Sequence, residues 1–290
     1  MSNTTTVVTV PCFSGAPWDL DQLEPLAHRP LRTMRLPEAV DNIEAYADFV
    51  AAQVRGLADY VLVGDSFGAV VALAFATRRP SGLRGLVLSG GFAANPVTSP
   101  VVRAKIGAAR FLPGPLYRQI TLRFHAASLA SPHDREGQRP LGARDFRRLF
   151  LENTPWRSYT ARAHAAFSAD YRDRLNHVEV PTLIVTPSHD KLIGPRAAEV
   201  MLDGIRDATE VVLDRTGHMF RFTHPHTYAA AVEAFIASRV EPRIEQAPAG
   251  VPPTGGRELL VEWPEGAESI GRRYRHRRTP GHTLVLHGSS

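Results

Sequence analysis

A serine hydroxyl stands between two glycines at Gly64-Asp65-Ser66-Phe67-Gly68, after the apolar run Tyr60-Val61-Leu62-Val63 and before the helix formers Ala69–Ala76. A G-x-S-x-G between a strand and a helix suits a nucleophile. The sharp turn holds the serine in a strained backbone conformation, and the small residues on either side let it approach its neighbours without a Cβ clash. The N-terminal N–H groups of the following helix point at the hydroxyl and at any oxyanion formed there. The same five residues also fit an ordinary Gly/Ser turn between core elements; the strand before and the helix after favour the nucleophile.

A serine hydroxyl is a weak nucleophile near neutral pH and needs a general base, which in turn needs an orienting acid. The run Pro181-Thr182-Leu183-Ile184-Val185-Thr186-Pro187 predicts a buried strand, and Asp190 follows it in Ser188-His189-Asp190. The next strand-like run, Ala208–Leu213, is followed by Asp214-Arg215-Thr216-Gly217-His218-Met219. Ser66, Asp190 and His218 thus fall after three strands, in the chain order Ser, acid, His, where active sites collect on a parallel sheet. Rivals exist for each role: His189, His224 and His226 as base, Asp214 as acid. His218 is preferred because a glycine precedes it on the loop after the last strand. Asp65, beside the serine, is expected to point away and at most to tune the site.

These residues need a scaffold. Strands are predicted over 6–11, 31–36, 59–64 and 83–89, with helices near 19–27, 40–54 and about 225–239. That alternation implies an α/β chain with a doubly wound, mostly parallel sheet. Residues 95–177 break the rhythm with helix-like pieces and loops rich in Pro, Ser and Gly. The core is expected in 1–94 and 178–240, with 95–177 inserted as a helical cap.

Over residues 6–240 the chain resembles the α/β-hydrolase fold superfamily. It is most similar to the small-esterase group that includes pimeloyl-carrier-protein methyl ester esterases, enol-lactonases and the menaquinone-pathway synthase. Thr182–Val185 with Ser188-His189-Asp190, and Gly217-His218 with His224-Pro225, carry that likeness. The resemblance implies an oxyanion hole made by the backbone N–H of Phe67 and of Phe13, which aligns with the donor because Pro11-Cys12 stands where His-Gly is usual. It implies a serine hydrolase that cleaves a carboxylic ester, lactone or thioester through an acyl-enzyme, without a cofactor or metal. A cofactor-independent lyase or C–C bond hydrolase, and a non-catalytic ligand receptor, stay open as alternatives. Cys12, the only cysteine, is read as a small filler near the site, and its solitude fits a reducing cytoplasm.

The cap concentrates charge. Between Pro96 and Val178 there are fourteen lysines and arginines against six acidic residues, a formal +8 in a chain of +5 overall. Such a lid steers an anionic or carrier-linked acyl substrate, or is simply a solvated surface. Arg103, Arg118, Arg123, Arg147 and Arg148 are the candidate contacts. Phe111, Leu112, Phe124, Leu149, Phe150, Trp156 and Phe167 are expected to fill the cap core and line an acyl pocket. Trp156 and Phe124, with Met219 next to His218, are the substrate-binding candidates.

Composition is that of a soluble globular protein, 43% hydrophobic and 22% charged. No run approaches the ~18 apolar residues of a membrane span, the first residues do not read as a secretory signal, and no nucleic-acid motif accompanies the basic charge. Residues 241–256 read as a Pro/Ala/Gly linker. Residues 257–290 form an atypical extension ending in Thr283-Leu284-Val285-Leu286-His287-Gly288, which resembles the opening of a hydrolase unit. It fits a truncated second unit, edge strands returned to a sheet, or a disordered basic tail.

Overall fold

The structure is a computed structural model and describes residues 5–97, 104, 113–245 and 274–276. The sequence expectations on Arg103, Phe111, Leu112, residues 246–273 and the Thr283–Ser290 run lie outside the described residues.

Six strands run parallel: β1 (Thr6–Val10), β2 (Leu31–Thr33), β3 (Tyr60–Asp65), β4 (Leu83–Ser89), β5 (Thr182–Pro187) and β6 (Ala208–Leu213). Their order is β2-β1-β3-β4-β5-β6, so the winding reverses direction between β1 and β3. That reversal opens a crevice at the carboxyl ends of these two strands. Register places Val10 beside Gly64, so the loop after β1 and the turn after β3 leave the sheet at one level.

The strands β3 and β5 are buried along their whole length, which is why they read as continuous apolar runs rather than alternating ones. Their side chains still alternate between two cores. Val8, Val10, Leu62, Leu86, Leu88 and Ile184 face α1 (Ile43–Gln53) and α2 (Phe67–Ala76). Val7, Val61, Val63, Val87, Leu183, Val185 and Val211 face Trp18, Leu26 and the C-terminal helical residues Val232 and Phe235. The helix α2 is apolar on every side because every residue of it is buried.

Strand β2 is shorter than the run Leu31–Leu36 predicts. Leu36 leaves the ladder and donates its N–H to the Gly15 carbonyl at 3.0 Å, tying this segment to the loop after β1.

The insertion holds α3 (Gly114–Leu129), α4 (Ala143–Asn153) and α5 (Trp156–Ser168). Phe146 and Phe150, one turn apart on α4, pack with Tyr117, Leu122, Leu129 and Tyr159, while Cys12, Met219 and Phe222 reach up to them from the core. The cap thus adds an apolar contact zone over the ends of β1 and β3, while Ala165 of α5 joins the main sheet core.

After β5 come α6 (Pro195–Gly204), β6 and α7 (Pro225–Phe235). The helical path continues as Ile236–Val240 and Glu241–Glu245, so the stretch read as a linker from 241 begins later than composition predicts. Arg29 holds Glu241 at 2.5 Å and Arg243 holds Asp207 at 2.6 Å, and these ties extend the helix past Pro242. In the extension, Tyr274–His276 form β7, antiparallel to β6. It lies at the edge opposite β2.

Candidate active site

Ser66 sits at φ 54° and ψ −114°, a region L-residues avoid at a cost of about 1–3 kcal/mol. Its N–H donates to the Ser89 carbonyl at 2.7 Å, and its own carbonyl accepts Ala69 N–H at 2.9 Å, so the flanking elements impose the turn. Both motif glycines are dictated by contact. A Cβ on Gly64 would lie 2.5 Å from the Gly68 carbonyl oxygen, and one on Gly68 would collide with the carbonyls of Val10 and Pro11.

The imidazole of His218 is 2.9 Å from Ser66 Oγ through Nε2 and 2.8 Å from Asp190 Oδ2 through Nδ1. An ionised carboxylate only accepts, so Nδ1 carries the hydrogen and Nε2 is the acceptor for the serine hydroxyl. Asp190 is itself oriented: its Oδ1 accepts the N–H groups of Leu192 at 2.8 Å and Ile193 at 3.0 Å. Both side chains are almost wholly buried. Burial pulls the His218 pKa down, but the charge and hydrogen bond of Asp190 outweigh it, with Asp65 and Asp134 adding, and the net shift is upward. For Asp190 burial pushes up, and His218 with the two backbone N–H groups brings it below its ordinary value. A hydroxyl, an imidazole and a carboxylate in this line can deprotonate an alcohol as it attacks an acyl carbon.

The rival groups are engaged elsewhere. His189 is exposed, 2.8 Å from the Ser188 hydroxyl, with its ring against His133. His224 bonds the Thr223 hydroxyl at 2.8 Å, and His226 is exposed. Asp65 turns away from the serine. Its Oδ2 accepts Arg221 Nε at 2.8 Å, and the buried guanidinium also reaches Gln22 and lies 4.4 Å from the Trp18 ring centre and 4.1 Å from that of Phe222. A buried ion pair thus underlies the turn, and the Asp65 charge acts on His218 through space. Burial, with Asp65 adding, pushes the Cys12 thiol up, so it stays protonated and unreactive.

Phe67 opens α2, where first-turn N–H groups have no partner within the helix. Phe13 follows β1, its ring edge-on to Phe67 with centroids 5.8 Å apart. Around Phe13 stand His125, Phe150 and Tyr159, with centroids 5.3, 6.0 and 5.1 Å away. His125 Nδ1 lies 3.2 Å from the Tyr159 hydroxyl. Burial, helped by the charge of His218, pushes the His125 pKa down to about 4, so its ring is neutral at working pH.

The three substrate-binding candidates end in different places. Met219 is buried beside Cys12 in the cap contact zone. Trp156 is exposed at the start of α5, packed on Gly114. Phe124 is 72% exposed on the outer face of α3. The wall over Phe13 is made instead by His125 and Tyr159, which the sequence reading passed over. Two apolar stripes compete on α3: Leu116, Ile120 and Phe124 at i, i+4 and i+8, and Leu122, Ala126 and Leu129 at i, i+4 and i+7. The structure buries the second and exposes the first, and that burial brings His125 inward. The sequence signal was the helical phase, which both stripes satisfy.

Several cap arginines are already engaged. Arg139 contacts Asp19 and Asp21, Arg172 contacts Asp170, Arg174 contacts Glu44, and Arg118 donates to the Thr154 carbonyl. Arg162 is buried.

A family model described as serine aminopeptidase, S33, matches residues 29–222, from β2 across the turn, the cap and the acid to just past His218. The chain belongs to this hydrolase family. Among curated relatives, a pimeloyl-[acyl-carrier protein] methyl ester esterase of Neisseria meningitidis is 29% identical over 221 residues, covering 73% of this chain and 68% of that one. A 2-hydroxy-6-oxononadienedioate/2-hydroxy-6-oxononatrienedioate hydrolase of Paraburkholderia xenovorans is 27% identical over 203 residues, covering 64% and 67%. Among solved structures, the enol-lactonase of Burkholderia xenovorans superposes with a TM-score of 0.67 at 19% identity, covering 81% of this chain and 92% of that one. The fold is the α/β-hydrolase fold, and the protein is an enzyme of the hydrolase class. Among the described residues no helix is long and apolar enough to cross a membrane.

Proposed function

We propose that this hydrolase cleaves a carboxylic ester, lactone or thioester through an acyl-enzyme on Ser66, His218 and Asp190. The observation that carries the reading is the unbroken hydrogen-bond line from Ser66 Oγ through His218 to Asp190. In the first half-reaction Ser66 Oγ bonds to the acyl carbon while its proton passes to His218 Nε2. The carbonyl π pair becomes an oxyanion, received by the N–H groups of Phe67 and Phe13. Collapse breaks the bond to the leaving alcohol or thiol, which takes the proton from Nε2. Water then repeats the sequence on the acyl-enzyme, releasing the acid and restoring Ser66. Asp190 holds the imidazole tautomer and stabilises the imidazolium.

The acyl group lies against Phe13, Phe150, His125 and Tyr159 under this reading, with the neutral His125–Tyr159 pair offering a hydrogen bond within an aromatic wall. A carrier-linked ester is the substrate class favoured by the curated esterase relatives, acting in the cytoplasm. The basic cap then meets the carrier or an anionic acyl group, with fewer unengaged arginines than the formal charge implies.

The test is covalent. A fluorophosphonate probe labels Ser66 stoichiometrically in the native protein and not in Ser66→Ala, and a panel of short esters, lactones and thioesters loses turnover with the same substitution. Labelling unchanged in Ser66→Ala overturns the assignment. The similarity to the oxononadienedioate hydrolase favours carbon–carbon cleavage as a second reading. Trapping of an acyl-enzyme from a simple ester supports nucleophilic chemistry, and its failure alongside turnover of a 1,5-dioxo substrate supports the second.

A further inference from the structure

Arg162, on α5, is 1% exposed, and its guanidinium points down into the loop after β1. One terminal nitrogen donates to the Phe13 carbonyl at 3.0 Å and the Ser14 carbonyl at 2.8 Å. The other reaches the Leu36 carbonyl at 3.4 Å and the Pro37 carbonyl at 3.2 Å, and Nε donates to the Tyr46 hydroxyl at 3.3 Å. These five acceptors are four main-chain carbonyls and a phenol. A buried charge is tolerated only when its donors are satisfied, and here the satisfaction comes from the backbone beside Phe13. The fit is close: a Cβ on Gly15, which has φ +71°, would collide with this guanidinium. Thr154, which caps the end of α4, adds its hydroxyl to the Ser14 carbonyl at 2.9 Å.

The consequence follows from peptide geometry. The Cys12 carbonyl accepts Gly15 N–H at 2.8 Å, and in a trans peptide the N–H of Phe13 then points the opposite way. That turn closes only if the peptides between Phe13 and Gly15 keep their orientation. Arg162 grips the carbonyl oxygens of both residues within it. We propose that Arg162 is a positioning residue for the oxyanion pocket: from the cap, it fixes the loop that aims Phe13 N–H at the acyl oxygen. The inference rests on the proposed role of Phe13 in the acyl-enzyme mechanism. Arg162 touches no reacting atom, and it makes the cap part of the catalytic geometry rather than a cover alone.

The test compares Arg162→Met, which keeps the apolar stem and removes the donors, with Arg162→Lys, which keeps the charge but cannot span the five acceptors. Three quantities are read: kcat and KM for p-nitrophenyl butyrate, the rate of fluorophosphonate labelling, and inhibition by an alkyl trifluoromethyl ketone, whose serine adduct carries an oxyanion. Loss of one oxyanion donor lowers kcat by roughly 10²–10³. For Arg162→Met, kcat is expected to fall by about that factor, with KM within about threefold. Ketone inhibition and labelling weaken in parallel, and the pH midpoint of the residual activity does not move. Arg162→Lys falls between. Should Arg162→Met fail to fold, Arg162→Lys and Thr154→Val are read in the same way. A kcat unchanged in a folded variant, or a kcat loss with ketone inhibition intact, overturns the proposal. If Ser66→Ala keeps its turnover, the site reading fails; if Ser66→Ala is inactive and the Arg162 variants are fully active, the positioning role alone fails.

Discussion

The two sides of this site are held by different forces. On the sheet side, Ser66, Asp190 and His218 stand at the ends of β3, β5 and β6, and backbone register with buried apolar strands places them. On the cap side, the loop carrying Phe13 is held by side chains: a guanidinium and a hydroxyl on its carbonyls, and ring edges against the phenyl. Backbone placement is distributed over many hydrogen bonds, so one side-chain change there removes chemistry and leaves geometry. Side-chain placement is concentrated, so one change on the cap side should alter geometry and leave Ser66 and His218 in place.

The largest effects should come from the sheet side. Ser66→Ala or His218→Ala is expected to lower kcat for p-nitrophenyl butyrate by on the order of 10⁴–10⁶, with melting temperatures near that of the parent protein. The pH profile sharpens the point. Under the proposed mechanism His218 acts when neutral, and its pKa is raised, so kcat/KM should rise with pH through a midpoint above the ordinary histidine value of 6.5. Stability runs the other way. The raised pKa means the folded state favours imidazolium, a contribution complete below the unfolded pKa and lost as pH climbs through the folded one. A midpoint below 6.5 would break this assignment.

Next comes the ion pair under the turn. Arg221→Met leaves Asp65 buried and uncompensated, which costs about 3–5 kcal/mol in a denaturant melt. Replacing both partners, Asp65→Asn with Arg221→Met, should recover much of that loss. The single change Asp65→Asn should lower the pH midpoint of activity, because Asp65 is one of the charges that raise His218. A double variant as unstable as Arg221→Met would show that shape rather than charge dominates there.

The cap offers a contrast within one domain. Phe150→Ala removes a ring from the contact zone over Phe13 and should cost about 3–5 kcal/mol. Phe124→Ser, on the exposed stripe of α3, should stay within about 0.5 kcal/mol by thermal melt. Equal losses would mean that the outer stripe of α3 is buried in solution. The smallest effect expected is that of salt. With several cap arginines held in ion pairs, kcat/KM for an anionic ester should fall only a few-fold from low salt to 0.15 M, where the Debye length is about 8 Å, and a neutral ester should not change. A steep fall would restore the cap as a strong electrostatic guide.

Much of the sheet side was legible in the chain. The turn around Ser66, the strand ends before Asp190 and His218, and their order are local patterns, each carried by a few consecutive residues whose backbone preferences reinforce one another. The sequence also marked the cap as an insertion, because the strand–helix rhythm stops there. What it could not show were the partners brought in from far along the chain. Arg162 and Phe13 are 149 residues apart, and nothing in either neighbourhood names the other. The inner face of α3 was equally hidden, since two stripes fit one helix and only packing against α4 and α5 selects His125 over Phe124. Which arginines are engaged in ion pairs, and which edge of the sheet takes Tyr274–His276, were decided by the same cause. Local pattern sets elements and their ends, whereas side-chain pairing depends on distances that exist only once the elements have packed.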